Sequence, residues 1–324
     1  MIINVVTAAD DNFSQHAAAM IASILLNKSK EDLIVIYLLS LKISGENIDR
    51  IKRVVELNNG KFHLINADES IFRNFPMPDN KSLKHISIAT YIRIFIPNLL
   101  PSSVKKVIYL DGDIIVRASL RPLYEFDIKD NAISAVLQMT EWTVSDCDRL
   151  GYDAKYGYFN AGVMLLNLDY WRENNISDIL EKYIINNSEK IIYHDQDALN
   201  ANLYNKKMPL PCEWNMMNIF FRRGVFKIKD IVNGELKNNY NEYKGQLKNA
   251  QKNPSIVHFV SKPKPWDAKC THPYRSEYYK YLRFTFWGFY TEPNFFLGNL
   301  YRLCRKLYVT VFSRDLDYVN FKKY

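Results

Sequence analysis

The chain has 324 residues, 48% hydrophobic and 24% charged, a composition that can bury a full core and excludes a disordered or fibrous protein. Its 43 Lys and Arg against 35 Asp and Glu leave a net charge of +8, which fits a polyanionic partner (nucleic acid, an anionic membrane or a phosphorylated substrate) and equally a basic surface with no dedicated partner. Four cysteines, Cys147, Cys212, Cys270 and Cys304, lie far apart without a CxxC pair, which speaks against zinc or redox motifs and for free, mostly buried thiols in a reducing compartment.

The N-terminus, MIINVVTAADD, has no basic n-region, and its apolar run is short for a signal peptide. No segment approaches the roughly 18 apolar residues of a membrane span, so a cytoplasmic location is expected. Residues 2–8 are an apolar, β-branched run that predicts a buried strand. A helix is expected over 14–27, with Ser14 as a candidate N-cap, then a second buried strand over 33–39. Residues 44–58 predict an amphipathic helix with Ile48, Ile51, Val54, Val55 and Leu57 inward, and 62–65 a short third strand. Further strands are expected at 107–110, 132–137 and 161–168, and helices near 169–186 and 195–203. The β-α-β-α-β alternation argues for an α/β fold with a parallel sheet covered on both faces. Such sheets bind ligands at the carboxyl ends of their strands, which directs attention to Ala9-Asp10-Asp11-Asn12 and Asp111-Gly112-Asp113.

Neither GxGxxG nor GxxxxGK[ST] occurs, which removes the main support for dehydrogenase and P-loop readings. Asp111 and Asp113 follow the apolar VIYL and precede IIV. Two carboxylates two residues apart at a strand end face the same way and can hold a divalent cation that neutralises a pyrophosphate. Asp146/Asp148, Asp195/Asp197 and Asp315/Asp317 share the spacing without that context. His258, in SIVHFVSKPKPW, is either a packed histidine or a third ligand, in which case the imidazole favours Mn²⁺ over Mg²⁺. His194-Asp195-Gln196-Asp197 opens a helix, so Asp195 serves as an N-cap and Asp197 complements the helix dipole, or the cluster binds sugar hydroxyls. Asn160-Ala161-Gly162 stands at the entrance of a buried strand, as a plain turn or as small residues that let backbone approach a ligand.

In this order, TAADDN (7–12), HISIATYIR (85–93), YLDGDIIV (109–116), YFNAGVMLLNL (158–168), HDQDALN (194–200) and VHFVSKPKPW (257–266) resemble glycosyltransferase family 8, and most of all its bacterial lipopolysaccharide glucosyl- and galactosyltransferases. The resemblance spans residues 4 to about 270. It implies a GT-A type, Rossmann-like mixed sheet flanked by helices over 1–270, and a retaining transfer of glucose or galactose from a UDP-sugar to a cell-surface glycan or glycolipid such as a lipopolysaccharide core. By position it implies Ala8, Asp10 and Asn12 at the uracil and ribose, Arg93 near the diphosphate or sugar, and Asp111, Asp113 and His258 on Mn²⁺ (or Mg²⁺). The intervening Gly112 would join the donor site. Asn160 and Ala161 would line the hexose. Asp195 would bind its hydroxyls, and Gln196 would sit on the β face of the anomeric carbon. Lys264 would hold the β-phosphate, and Ser261, where the family usually has glycine, would approach phosphate with its backbone. Asp195, Gln196 and Asp197 are the candidate catalytic residues. Gln196 is a poor nucleophile, so front-face transfer, with the leaving phosphate taking the acceptor's proton, is expected over a covalent Asp197 adduct.

From about residue 271 the chain turns aromatic and basic, with six Lys or Arg against two Asp between Leu300 and Tyr324. Arg302, Leu303, Arg305, Lys306, Leu307 and Val311 suit a basic amphipathic helix, and Trp287 and Tyr290 an interfacial belt. The extension 271–324 is therefore expected to dock on the anionic cytoplasmic face of the inner membrane, against the alternatives of folding back onto the catalytic domain or contacting a second copy. Three other activities compete: a phosphodiesterase or nucleotidyltransferase using the same carboxylates, a nucleic-acid-binding protein, and a self-glucosylating enzyme using one of the 22 tyrosines. Nucleic acid is not expected as a partner, because the basic and aromatic residues gather in the tail, away from the carboxylate motifs.

Overall fold

The computed structural model describes residues 1–68, 72, 75, 88–138, 143–222, 230–232, 235–237, 243, 245–289, 295–311 and 318. Residues 85–87 of the second family block, Tyr290, Asp315, Asp317 and the last six residues lie outside them. Along the chain come β1 (Ile2–Asp10), β2 (Leu33–Leu41), β3 (Lys61–Asn66), β4 (Lys106–Leu110), β5 (Ile114–Val116), β6 (Ile133–Gln138), β7 (Tyr158–Asn167), β8 (Lys207–Pro209), β9 (Met216–Met217), β10 (Asp230–Val232), β11 (Glu235–Lys237) and β12 (Ile256–His258). The main sheet has the order β3-β2-β1-β4-β7-β6-β8. Its first four strands are parallel, as the alternating pattern predicts, whereas β7 runs antiparallel to both β4 and β6. A smaller sheet has the order β5-β12-β9.

Burial follows the apolar runs. Strands β1, β2, β4 and β7 are covered on both faces, which is why they read as continuous Val/Ile/Leu segments. The helix Ser14–Asn27 buries Ala17 through Leu25 against this sheet. Ser14 is its first residue and not its cap; Phe13 holds the cap position, and Ser14 Oγ donates to Asp10 O (3.1 Å). The helix Gly45–Leu57 is capped by Ser44, whose side chain accepts from Asn47 N, and it buries Ile51, Val54 and Val55. Leu57, expected inward, is 72% exposed: it is the last residue of the helix and lies off the face that Ile51, Val54 and Val55 bury. The helix expected over 169–186 is two, Leu168–Glu173 and Ile176–Asn186, parted at Asn175 (φ 49°), whose left-handed conformation asparagine tolerates.

Two features of this topology build a site. Strand order reverses between β1 and β4, so the carboxyl ends of these two strands open a crevice. Because β7 is antiparallel to β4, its first residues come to the end of β4: Leu110 pairs with Val163, and Asp111 N donates to Gly162 O (2.9 Å). Asn160, Ala161 and Gly162 thus lie inside strand β7, which starts at Tyr158, and not at its entrance. In the smaller sheet β12 pairs antiparallel with β5, His258 opposite Ile114, one residue from Asp113.

Beyond residue 270, the helix Arg275–Leu282 buries Tyr278, Tyr281 and Leu282 in the same core as β1 and Ser14–Asn27. The Tyr278 hydroxyl lies 2.7 Å from His16 Nδ1, and Tyr281 accepts from Asn27 Nδ2 at 2.8 Å. Cys147, Cys212 and Cys270 are buried thiols and Cys304 an exposed one. No helix of the described residues is long and apolar enough to cross a membrane.

Candidate active site

Asp111, Asp113 and His258 converge at the crevice, each offering a ligand atom within 4.8 Å of the others. His258 Nε2 is 3.2 Å from Asp113 Oδ1 and 3.9 Å from Asp111 Oδ2. Gly162 floors this cluster. A Cβ there would stand 2.1 Å from His258 Cε1 and 2.7 Å from Asp111 Oδ2, so the cradle exists only because the residue is glycine. The donor set, two carboxylates and an imidazole around a space that a methyl group would fill, fits a divalent cation such as Mn²⁺. The other two Asp-x-Asp pairs among the described residues do something else. Asp146 and Asp197 both pair with Arg149, and Asp195 and Asp197 point to different partners.

Arg93 sits beneath the cluster, 7% exposed. Its Nη2 lies 3.2 Å from Asp111 Oδ1, its Nε 2.8 Å from Asp195 Oδ2, and its Nη1 donates to Ala161 O (2.8 Å). The guanidinium also packs on the Tyr109 ring, whose hydroxyl donates to Asp111 Oδ1 (2.9 Å). Arg93 therefore ties the two acidic motifs together from below. Asp195 is the first residue of the helix Asp195–Leu203, so the cap position falls to His194, in an unusual backbone conformation (φ 55°, ψ −129°). Burial pushes the Asp195 carboxyl up to about 7, with Asp111 adding to the rise and Arg93 opposing it. Burial also acts to raise Asp113, but Lys264 and His258 more than offset it and hold this carboxyl below its ordinary value. The Lys264 ammonium bonds Asp113 Oδ2 and the carbonyls of Phe259 and Val260.

Gln196 is held on both ends of its amide. Oε1 accepts from Asn160 Nδ2 and Ala161 N, each at 3.0 Å, and Nε2 donates to the Tyr158 hydroxyl (3.1 Å). Asp197 is wholly buried and spends its carboxylate on Arg149, the Tyr158 hydroxyl (2.8 Å) and the backbone N–H groups of Ile192 and Tyr193 (2.7 and 2.8 Å). Asp10 Oδ1 accepts from Phe13 N (2.9 Å) at the end of β1, next to half-buried Ala8 and exposed Asn12. Gly112 is buried, and a Cβ on it would meet the Phe13 ring at 3.1 Å. Ser261 is exposed and is not among the positive-φ residues, so its backbone conformation makes no demand for glycine. The loop that carries it is pinned by Trp266, which stacks on His16 (centroids 3.4 Å apart, planes at 9°).

Of the residues read from sequence, Asp111, Asp113, His258 and Lys264 meet one another, and Arg93 links Asp111 to Asp195 and to the Ala161–Gln196–Asn160 bonds. Ala8, Asp10 and Asn12 lie at the end of the neighbouring strand β1, Ser261 on the loop after β12, and Asp197 behind Gln196 with its oxygens occupied. Sequence reading missed Arg149, Tyr158 and Asn215, which hold Asp197, Gln196 and His258 respectively. Tyr158 opens the YFNAG block and was within reach; Asn215, in EWNMM, carries no motif.

The doubly wound, mixed sheet is of the GT-A glycosyltransferase type, and its crevice holds the Asp-x-Asp and histidine cluster. The chain belongs to Glycosyl transferase family 8, whose profile matches residues 4–270, and it is a retaining hexosyltransferase with a nucleotide-sugar donor and a glycan acceptor. It is 29% identical over 301 residues to General stress protein A of Bacillus subtilis, covering 90% of this chain and 97% of that one. It is 25% identical over 275 residues to a lipopolysaccharide 1,3-galactosyltransferase of Salmonella typhimurium, covering 83% and 74%. Among solved structures it is similar to galactosyltransferase LgtC in complex with donor and acceptor sugar analogs, at TM-score 0.73 and 25% identity, covering 91% and 99% of the two chains.

Proposed function

We propose that the protein transfers glucose or galactose from a UDP-sugar to a cell-surface glycan acceptor of the lipopolysaccharide-core type, with Mn²⁺ held by Asp111, Asp113 and His258. The observation that carries this reading is the Gly162-floored cluster at the carboxyl end of β4. When bound, the cation neutralises charge on the diphosphate as UDP departs. Ala8, Asp10 and Asn12, at the end of β1, take the uracil and ribose. Lys264 meets the β-phosphate, exchanging its bond to Asp113 for one to phosphate, and Gly112 and Ser261 flank the diphosphate. Asn160, Ala161 and Asp195 line the hexose, and Gln196 faces the anomeric carbon.

Arg93 acts from beneath, holding Asp111 and Asp195 in register. Asp197 serves as the anchor of Gln196 and not as a nucleophile, since its lone pairs are directed at Arg149, Tyr158 and two backbone N–H groups. Retention then proceeds on one face, the leaving phosphate accepting the acceptor's proton.

For the extension 271–324 we propose docking on an anionic membrane surface at the cytoplasmic face. The helix Phe295–Val311 supports this: Phe296, Leu297, Leu300, Leu303 and Leu307 are between 51% and 81% exposed. Arg302 Nη1 meanwhile donates to Ala268 O (2.6 Å), tethering the helix to the catalytic body. Trp287 packs on the main core beneath Arg50, so it lends less to an interfacial belt than the helix does.

The test is UDP release with Mn²⁺ across a panel of UDP-sugars, comparing wild type with Asp113→Asn. Metal-dependent release from UDP-glucose or UDP-galactose, lost in the variant, is expected. Absence of release together with absence of thermal stabilisation by UDP plus Mn²⁺ refutes the reading.

A further inference from the structure

A chain of hydrogen bonds joins the metal-binding histidine to Asp197, and its sense is set by backbone. Gly162 N donates to Asn160 Oδ1 (3.1 Å), and Ala161 N donates to Gln196 Oε1 (3.0 Å). A backbone N–H can only donate, so these two bonds settle which end of each amide is oxygen. Asn215 meets the same Asn160 Oδ1 at 2.9 Å and must offer its NH₂ there. The Asn215 oxygen is then left facing His258 Nδ1, also at 2.9 Å. An oxygen can be answered only by a protonated Nδ1. The other ring nitrogen, Nε2, is thereby aimed at Asp113 and Asp111. Asn215 is 0% and His258 2% exposed, so no solvent competes for either bond.

We propose that Asn215 is a positioning residue for the metal-binding histidine: with Asn160 it passes on the donor sense set by the β7 backbone, so that His258 keeps its proton on Nδ1 and offers Nε2 to the cation. The outer partner of a metal-bound imidazole sets its tautomer and ring orientation. Here that partner is an amide, whose own orientation is decided two residues away in space, by Gly162. The same glycine that leaves room for the cluster therefore also orients its histidine. This inference rests on the metal reading of Asp111, Asp113 and His258, while the hydrogen-bond chain itself does not.

The experiment is long-range ¹H–¹⁵N correlation on ¹⁵N-histidine-labelled full-length protein without metal, with His258→Gln to assign the signal, followed by Mn²⁺ titration in the presence of UDP. In wild type, Nδ1 of His258 is expected to carry a proton, and a bare Nδ1 overturns the proposal. Asn215→Asp keeps an acceptor for Nδ1, although its second oxygen cannot donate to Asn160 Oδ1 unless protonated, and is expected to keep the protonated Nδ1. Asn215→Leu is expected to deplete the protonated Nδ1 and weaken Mn²⁺ binding about 10- to 100-fold; unchanged affinity overturns the positioning role. Should Asn215→Leu not fold, the wild-type and Asn215→Asp spectra still decide. A protonated Nδ1 in a wild type that binds no Mn²⁺ would sink the metal reading and leave the hydrogen-bond chain standing.

Discussion

Gly162→Ala adds one methyl group and tests the site's geometry directly. The new Cβ would stand 2.1 Å from His258 Cε1 and 2.7 Å from Asp111 Oδ2. Non-bonded carbons meet at about 3.5 Å, so the imidazole must retreat by about 1.4 Å. It has little freedom to do so. His258 is 2% exposed, its Nδ1 is bonded to Asn215, and its backbone is paired on both sides by β5 and β9. Moving the β7 backbone instead would break the Asp111 N to Gly162 O bond and the bond from Gly162 N to Asn160. Either way the ligand set opens by far more than the ~0.2 Å that metal coordination tolerates. Overpacking of this kind costs about 1–3 kcal/mol of stability. The loss in Mn²⁺ affinity is expected to be at least about 100-fold, or about 2.8 kcal/mol. Calorimetric titration of Mn²⁺ into protein plus UDP measures it, with circular dichroism confirming that the variant is folded. A folded Gly162→Ala variant that binds Mn²⁺ within threefold of wild type would show that the three residues do not act as one cluster.

Asp195→Asn tests the burial of charge. The wild-type carboxyl, held at about 7 against an ordinary 3.8, keeps its proton in the folded state over a range where the unfolded chain has lost it. Stability therefore falls as pH rises from about 4 to about 7 and stays reduced above that, by up to about 4 kcal/mol. Asparagine has no proton to lose, so in urea unfolding without metal the variant should match wild type at about pH 4 and exceed it at about pH 8. A variant less stable than wild type at the higher pH would show that the Arg93 pairing outweighs desolvation. Arg149→Met strips the buried Asp197 of its cation and is expected to cost about 3–5 kcal/mol in the same assay; a change under about 1 kcal/mol would refute the anchoring role. Mass spectrometry of enzyme incubated with donor is expected to find no glycosyl adduct on Asp197, and finding one would overturn front-face transfer. A chain ending at residue 294 retains the core helix Arg275–Leu282 and should lose co-sedimentation with anionic vesicles; full retention would place the membrane contact elsewhere.

The sequence carried the core strands of the fold because each is buried on both faces and therefore reads as an unbroken apolar run. It carried Asp111 and Asp113 because they sit where such a run stops. What the hydrophobic pattern did not carry is strand direction: the parallel sheet it argued for holds only as far as β4, and the mixed sheet, with β7 running against β4, was implied by the family resemblance and not by the alternation. The misplacement of Asn160-Ala161-Gly162 at a strand entrance has the same origin. A polar or small residue at the head of a strand looks like a turn unless a neighbour is known to demand it, and here the neighbour is Asp111, some fifty positions away. Asp197 illustrates the converse. As a carboxylate in an Asp-x-Asp pair it looked chemically competent, but competence depends on free lone pairs, and its partners Arg149, Tyr158 and the 192–193 backbone come from a helix, a strand and a loop.

The antiparallel strand also explains why the site tolerates so much buried polarity. Where β7 meets the end of β4 it presents backbone N–H groups from Ala161 and Gly162 and a carbonyl from Ala161, all aimed at side chains. Gln196, Asn160 and Arg93 take these partners; Gln196 Nε2 then donates to Tyr158, Asn160 Oδ1 accepts a second bond from Asn215, and Arg93 turns its remaining nitrogens to the acidic pair. Burying such groups unpaired would cost several kcal/mol apiece, so the strand edge is what permits an arginine, two amides and a high-pKa carboxyl to share one water-poor floor. Preorganisation follows from the same bonds: Gln196, Asn160 and Arg93 are already held by the β7 backbone before any donor arrives.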